Sequence, residues 1–323
     1  MRILILINLT LPINYKFYIP YLPSSPMDKI KITFLGTGDA IPTKKRSHSA
    51  ILLSYRNENI LVDCGEGTQR QFRIANISPT KITKILITHW HGDHILGLPG
   101  LLQTLAASNY PRTLEIYGQK GTEYYYSLLN KIFNLNLKVL IKEVSGIFFQ
   151  TSDFQLEAKP MDHQTPTNAY SFTIKDKTRL DRKKIKALKL PNSPLLGQLQ
   201  KGKSISWKGK TISPKQVSYS EKGKKVTFIL DTAENKNALE LAKLSDLLII
   251  ESTFSAEEKQ KAEDYKHLTS SQAAQTAKKA KVKSLILTHL SQRYDNKQHQ
   301  ILSEARKTFK NTKIVKDFDS LEI

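Results

Sequence analysis

Cysteine is almost absent: Cys64 is the only one in a chain of 323 residues. One thiol permits no intrachain disulfide, excludes a disulfide scaffold or a cysteine-rich zinc ribbon, and fits a reducing compartment such as the cytoplasm. Long apolar runs are also missing. The longest candidate, Ile3 to Leu11, is too short to cross a bilayer. Only Arg2 precedes it and Tyr15 to Pro26 holds no small-residue cleavage site, so it does not read as a secretion signal. Acids are in deficit: 29 Asp and Glu face 50 Lys and Arg, which gives a net charge of +21 and a pI near 9.8. Such an excess points to a polyanionic partner, nucleic acid or an anionic membrane. A hydrophobic fraction of 39% with 24% charged residues excludes a disordered chain, and the length suits one large domain or two ordinary ones.

Met27 opens the stretch Met-Asp-Lys-Ile-Lys-Ile-Thr-Phe-Leu-Gly, a clean start to a first strand. Residues 1–26 are therefore expected to be an upstream mis-start or a loose appendage. Beyond them, short apolar runs alternate with helical stretches, the pattern of an α/β fold. Helices are expected over Leu101 to Ser108, Gly121 to Phe133, Asn235 to Leu244, Ser270 to Lys281 and Ser303 to Phe309, with Ser270 as the N-cap of the fourth. Several apolar runs end on a metal-ligating residue type. Ile85 to Thr88 leads to His89, Val226 to Leu230 to Asp231, Leu247 to Ile250 to Glu251, and Leu285 to Thr288 to His289. Buried strands of α/β folds carry their functional groups just beyond the strand ends. Ile-Leu-Ile-Thr-His and Leu-Ile-Leu-Thr-His recur about 200 residues apart, a weak repeat of five residues. Lys177 to Lys210 breaks the rhythm. It holds eleven Lys or Arg against the single acid Asp181 and is punctuated by Pro191, Pro194, Gly197, Gly202 and Gly209, too often for a buried core element. It reads as an inserted basic arm in a domain made of 27–176 and 211–323.

The densest chemistry is His89-Trp90-His91-Gly92-Asp93-His94, four potential ligands in six residues directly after a strand-like run. Imidazole and carboxylate suit zinc, and two imidazoles two residues apart on an extended segment reach the same ion. Asp93 and His94 lie about one turn further and would face a second ion. His163 supplies a third imidazole for the first ion and His289 serves the other. Asp231 is placed to bridge them, because a carboxylate has two oxygens and the ions of two-metal sites lie roughly 3.5–4 Å apart. Taken singly, His163 or His289 would be an ordinary packed histidine; the shared setting at strand ends argues for ligation. Cys64, Trp90 and Trp207 read as packing residues.

This ligand series resembles the metallo-β-lactamase superfamily and, within it, the short-form ribonuclease Z family of transfer RNA 3′-processing endonucleases. The resemblance runs from about Ile32 to Tyr294. It rests on Phe34-Leu35-Gly36-Thr37-Gly38, on Asp63-Cys64-Gly65-Glu66-Gly67-Thr68-Gln69-Arg70-Gln71, on His94-Ile95-Leu96-Gly97-Leu98-Pro99-Gly100 and on Thr288-His289-Leu290-Ser291-Gln292-Arg293-Tyr294. It implies an αββα sandwich with an inserted, flexible basic arm, and two Zn2+ per chain, manganese or another divalent ion being the alternative. His89, His91 and His163 would hold one ion, Asp93, His94 and His289 the other, with Asp231 between. Asp93 is then also the implied proton acceptor from the attacking water. His267, in His267-Leu268-Thr269, is similar to the family's His-Ser-Thr loop and is implied as proton donor to the leaving 3′ oxygen. Glu251, in Ile250-Glu251-Ser252-Thr253, resembles the family's His-Glu-Ala-Thr segment and would orient His267 or keep it protonated.

The same resemblance makes Lys44 and Arg46, in Pro42-Thr43-Lys44-Lys45-Arg46-Ser47, contacts to the acceptor end, with Ser47 in place of the family's asparagine. It makes the basic run the family's substrate arm, with Arg182, Lys183, Lys184 and Lys186 as phosphate contacts that position precursor transfer RNA without reading its bases. In the arm's Gly-Pro motif, Ser193 stands where the family has glycine. The resemblance further implies a homodimer in which one subunit's arm clamps substrate for the other. The expected activity is removal of the 3′ trailer from precursor transfer RNA, leaving a 3′-hydroxyl on the transfer RNA and a 5′-phosphate on the trailer, in the cytoplasm and with no membrane partner. A phosphodiesterase or thioesterase of the same fold acting on a small substrate shares the ligands but has no use for a basic arm. A non-catalytic RNA-binding protein has no use for intact ligands.

Overall fold

The computed structural model describes residues 29–323; the expectation about residues 1–26 lies outside the described residues. The described residues divide into a main unit, 29–177 with 221–323, and an arm, Thr178–Ser220.

In the main unit, β1 (Lys31–Gly36), β2 (Ala50–Tyr55), β3 (Glu58–Val62), β4 (Lys84–Leu86), β5 (Leu114–Gly118) and β6 (Val139–Glu143) run in chain order across one sheet. β7 (Gly146–Gln150), β8 (Phe154–Met161) and β9 (Thr167–Ile174) begin a second. The arm contributes β10 (Lys177–Leu180), β11 (Ile205–Trp207), β12 (Lys210–Ile212) and β13 (Ser218–Glu221). After it come β14 (Lys225–Ile229), β15 (Leu247–Glu251), β16 (Ser284–Thr288) and β17 (Thr312–Ile314), and finally β18 (Ser320–Glu322). The first sheet has the order β18-β1-β2-β3-β4-β5-β6 and the second β17-β16-β15-β14-β9-β8-β7. β3 to β6 are parallel, as are β14 to β17.

Strand residues alternate between two apolar layers, as a period of two requires. Ile32, Phe34, Ile51 and Leu53 of the first sheet share one cluster with Phe172, Phe228 and Ile249 of the second, so these faces pack on each other. The intervening residues point outward onto helices. Leu52, Leu61 and Ile85 meet Leu101 and Leu105 of the helix Leu98–Ala107. Leu248, Ile250 and Leu287 meet Ala273 and Ala277 of Ser270–Lys279 and Ile301 of Gln298–Thr308. The layers are helix, sheet, sheet, helix: the αββα sandwich. Strands buried on both faces explain why Ile85 to Ile87 and Leu247 to Ile250 read as continuous apolar runs.

Three local expectations need correction. The helix from 270 is capped by Thr269, not Ser270: the Thr269 hydroxyl accepts from Gln272 N–H and the Gln272 side chain accepts from Thr269 N–H, a reciprocal capping box. The last helix starts at Gln298 rather than Ser303, because only Ile301 and Ala305 face the core and the polar first turn hides the period. The basic run holds a small core of its own: Leu180, Leu190, Leu196, Leu199, Ile205, Ile212 and Val217 are buried together. Its glycines and prolines punctuate short helices, Arg182–Ala187 and Pro194–Gln200, and the β11–β12 hairpin. The arm therefore ends at Ser220, ten residues beyond the charge-based limit. Asp181, its one acid, caps the first helix by accepting from Lys183 and Lys184 N–H. Ser193 has φ −145°, an extended conformation that needs no glycine.

Candidate metal centre

The sequence runs that end on polar residues lie side by side in the parallel parts of the two sheets, so their ends converge. Asp63 follows β3, His89 follows β4, Asp231 follows β14, Glu251 ends β15 and His289 follows β16. The five-residue echo thus falls on inner strands of different sheets. The two ends are tied: Asn168 N–H donates to Thr88 O at 2.8 Å, the Tyr170 hydroxyl to Ile87 O at 2.6 Å, and Leu290 N–H to Thr37 O at 3.3 Å. The short helix Gly92–Ile95 carries Asp93 and His94 into the junction. It packs closely because of two glycines. A Cβ at Gly97 would lie 2.0 Å from Gly65 O, and one at Gly65 would lie 2.3 Å from Asp93 O. Asp63 and His289 both have left-handed φ, +58° and +56°, a local strain of the kind that gathers at functional sites.

Seven predicted ligands meet there in two groups that share Asp231: His89, His91 and His163, and Asp93, His94 and His289. His89 Nε2 is 3.6 Å from Asp231 Oδ2, and His91 Nδ1 is 3.3 Å from His163 Nε2. His289 Nε2 lies 3.1 Å from Asp231 Oδ1 and 3.3 Å from Asp93 Oδ2, which in turn is 3.2 Å from His94 Nε2. Tetrahedral bonds of about 2.0–2.2 Å place neighbouring ligand atoms about 3.3–3.6 Å apart, so the spacing suits an ion in each group. Among the described residues, His89 Nε2, His94 Nε2 and Asp231 Oδ1 are buried with no hydrogen-bond partner, which polar atoms avoid unless something else satisfies them. Each group could hold a divalent metal ion.

Neighbours aim the imidazoles. Thr88 donates its hydroxyl to Asp63 Oδ2 at 2.8 Å, so its oxygen accepts from His89 Nδ1–H at 3.0 Å; Asp63 Oδ2 also accepts from His94 Nδ1–H at 2.7 Å. The second sheet repeats the device. Thr253 donates to Glu251 Oε2 at 2.6 Å and accepts from His289 Nδ1–H at 3.0 Å. Lys266 O accepts from His163 Nδ1–H at 3.0 Å. In all four rings a neighbour engages Nδ1–H and Nε2 faces the cluster, where it can offer a lone pair to a metal ion. The charge balance also favours a cation. Burial opposes protonation of His94, yet Asp93, Asp231 and Asp63 outweigh it and raise its pKa well above the ordinary histidine value. Burial, reinforced by His94, pushes His89 well below that value, leaving it a neutral ligand.

Beside the metal cluster, His267 Nδ1 donates to Glu251 Oε1 at 3.0 Å, and Thr232 N–H donates to the same oxygen at 2.7 Å. Burial disfavours the His267 imidazolium, but Glu251, with Asp231 beyond it, raises its pKa to about 9. Burial likewise raises Glu251, and His267 outweighs it and draws the carboxyl below its usual range. His91, Asp93, His163 and His267 line one cavity of about 540 Å³ together with Phe254 and Arg293. A protonated imidazole beside two groups of residues that could hold metal ions can protonate a leaving group.

Lys44 is exposed. Arg46 is not: it is 1% exposed, and its guanidinium donates to Thr37 Oγ1 at 2.6 Å and Val315 O at 2.7 Å. The expected phosphate contact at Arg46 is therefore corrected to an internal tie between the 37–47 segment and Val315, just beyond β17. Arg182, Lys183, Lys184 and Lys186 are exposed on the arm's first helix. Sequence reasoning missed Asp63, Thr88 and Thr253 as supports; the signal was a threonine or aspartate at the strand end next to each ligand. Cys64 is buried in the core and burial raises its thiol pKa, as packing requires. Trp90 is partly buried and donates Nε1–H to Thr122 Oγ1.

A family described as Anti-Pycsar protein Apyc1 matches residues 30–182, less than half of the chain. Much longer similarity is found to proteins named Ribonuclease Z. That of Methanothermobacter thermautotrophicus is 39% identical over 298 residues, covering 91% of this chain and 97% of the relative. That of Enterococcus faecalis is 40% identical over 305 residues, again 91% of this chain and 97% of the relative. The chain belongs to the ribonuclease Z family. Among solved structures, the short form of human tRNase Z aligns with a TM-score of 0.65 at 26% identity over 90% of this chain and 98% of that one. A metallo-β-lactamase fold protein, YhfI of Bacillus subtilis, aligns with a TM-score of 0.67 at 19% identity over 92% of this chain and 100% of that one, and shares the fold. As a ribonuclease Z family member the chain is a hydrolase of the metallo-β-lactamase fold, and the His/Asp cluster lies at its strand ends. No helix among the described residues is long and apolar enough to cross a membrane.

Proposed function

We infer that the chain is a metal-dependent endoribonuclease that removes the 3′ trailer from precursor transfer RNA, leaving a 3′-hydroxyl on the transfer RNA and a 5′-phosphate on the trailer. The observation that carries the reading is identity of 39–40% to ribonuclease Z proteins over 91% of the chain. His89, His91 and His163 would hold one ion and Asp93, His94 and His289 a second, with Asp231 available to both groups. The nitrogen and oxygen donor set suits zinc, two per chain, and manganese shares the oxygen ligands. When bound, such ions supply Lewis acidity at the phosphate and a water acidic enough to attack at neutral pH.

The chain's own residues do the rest. Asp93 takes a proton from the attacking water at a carboxylate oxygen. As the bond from phosphorus to the 3′ oxygen breaks, His267 gives its Nε2 proton to that oxygen, and Glu251 holds the ring by Nδ1 and keeps it charged. Thr253 shares its hydroxyl between Glu251 and His289 and so fixes the acid pair to the ligand set. Lys44 and the arm residues Arg182, Lys183, Lys184 and Lys186 contact phosphates of the substrate; a net charge of +21 supports a polyanionic one. The working form is a cytoplasmic homodimer, which sedimentation at micromolar concentration tests: a lone monomer peak removes the dimer. The activity is tested by incubating the protein with a trailer-bearing precursor, a mature transfer RNA and a small chromogenic phosphodiester. Cleavage of the precursor at far lower concentration than the diester supports the reading; turnover of the diester alone overturns it.

A further inference from the structure

The arm contains a cavity of about 640 Å³, and the described residues that line it all belong to the arm, among them Lys184, Lys189, Lys208, Lys210, Leu188 and Trp207. Among the described lining residues four are lysines and none is acidic. The arm as a whole carries eleven Lys or Arg and one acid, and that acid, Asp181, is occupied as a helix cap. Trp207 ends β11 and pairs with Lys210 across a two-residue turn, in which Lys208 and Gly209 have φ of +49° and +75°. Positive φ at both turn positions matches the right-handed twist of a hairpin, so the ring stands on a defined scaffold. Trp207 packs against the arm's small core yet is only partly buried, its Nε1–H has no hydrogen-bond partner among the described residues, and the Lys208 ammonium lies 5.8 Å from its ring centroid.

An aromatic face with cations around it and no acid is how proteins hold an unpaired nucleotide: the base stacks on the ring and the phosphate meets the ammonium groups. The volume is in the range of small-ligand pockets, about 300–1,000 Å³. Packing alone does not require a partly exposed ring that lines a cavity among four lysines. We propose that the arm's Trp207 cavity binds one unstacked nucleotide of the folded transfer RNA, with the base on the Trp207 indole and its phosphates on Lys208 and Lys210. The proposal rests on the reading of the substrate as precursor transfer RNA, and it adds a stacking contact to an arm otherwise expected to act by charge alone.

The two contributions separate with salt. Stacking involves no counterion release, whereas each phosphate contact does. In the full-length protein, Trp207→Leu is expected to raise the Kd for precursor about 10-fold and to leave the slope of log affinity against log salt unchanged. Lys208→Gln with Lys210→Gln is expected to flatten that slope by roughly 0.7–0.9 per contact. An unfolded arm would lose both together, so a flattened slope with Trp207→Leu overturns the stacking contact. A second measurement needs no change at Trp207. With Trp90→Phe removing the other indole, the fluorescence of Trp207 is expected to be quenched on saturation with mature transfer RNA; unchanged emission overturns the proposal. If Trp207→Leu leaves the Kd unaltered and instead converts a dimer to monomer, the cavity is an interface between copies and the proposal fails. If the wild-type protein binds no precursor at all, the functional reading falls first, and the arm variants are not what decides it.

Discussion

Asp63 belongs to neither candidate ligand group, yet it should decide how tightly they bind metal. Its carboxylate is fully buried and takes three hydrogen bonds: Thr88 N–H at 2.7 Å on Oδ1, and the Thr88 hydroxyl at 2.8 Å and His94 Nδ1–H at 2.7 Å on Oδ2. Asp63→Asn keeps the shape and exchanges one acceptor for a donor. If the amide nitrogen takes the Oδ2 place, His94 must accept at Nδ1 and carry its proton on Nε2, where the ligand lone pair was. The Thr88 hydroxyl must turn as well and press the same change on His89, a ligand in the other group. Loss of a supporting contact of this kind costs about 10- to 100-fold in metal affinity. If the amide flips, its NH2 faces Thr88 N–H and a buried donor is left unsatisfied, at about 1–3 kcal/mol of folding stability. One or the other must appear. The assay is ion content by elemental analysis after dialysis against graded chelator, paired with the urea midpoint of the metal-stripped protein. A variant that keeps wild-type ion content at every chelator concentration, with stability unchanged within about 0.5 kcal/mol, would refute the reasoning.

Four other consequences follow from the same geometry. His267→Ala should lower kcat roughly 100- to 10,000-fold with metal content unchanged, the range for a positioned general acid. Glu251→Gln removes the charge that holds the His267 proton, so the His267 pKa falls from about 9 and the alkaline limb of the kcat–pH profile moves to lower pH; a limb that stays or moves up excludes this pairing. Deleting Thr178–Ser220, the whole arm with its core, and closing the gap with a short Gly-Ser linker should raise KM for precursor and flatten the salt dependence, while hydrolysis of a chromogenic phosphodiester persists; loss of both activities would mean that the arm is needed for folding. Arg46→Ala should destabilise the fold by about 2–4 kcal/mol, read as a lower urea midpoint, because two buried hydrogen bonds from a charged donor are lost; a stability change near zero with weakened precursor binding would restore its phosphate role.

The convergence of the candidate ligands was legible because each is a rare residue type placed where an apolar run stops. His89, Asp231 and His289 each follow a strand that is buried on both faces, and such strands announce their ends by the first polar side chain. His163 carried less signal, since it follows the half-buried β8, and only the run of the other ligands pointed to it. The supports were hidden for the opposite reason. Thr88 and Thr253 look like ordinary strand or loop threonines, and their roles depend on which side chain lies across the sheet junction. Arg46 was misread because a basic loop looks the same in sequence whether its arginine faces solvent or turns inward onto Thr37 and Val315. The arm's core was missed because Leu180, Leu190, Leu196 and Ile205 are spaced by glycines, prolines and lysines with no steady period, and they meet only through the turns. Thr269 lost the cap to Ser270 in the sequence reading because both residues suit the position; the reciprocal bond with Gln272 selects Thr269.

The central claim is a hydrolytic cut at the 3′ side of the transfer RNA, with the proton delivered to the leaving 3′ oxygen. The most direct measurement maps both new ends at single-nucleotide resolution after incubation of the full-length protein, loaded with zinc, with a trailer-bearing precursor. The account predicts one cut, a transfer RNA ending in a 3′-hydroxyl that a poly(A) polymerase can extend, and a trailer whose 5′-phosphate makes it a ligase substrate without prior kinase treatment. A 2′,3′-cyclic phosphate on the transfer RNA with a 5′-hydroxyl on the trailer, or cuts scattered through the chain, would contradict it.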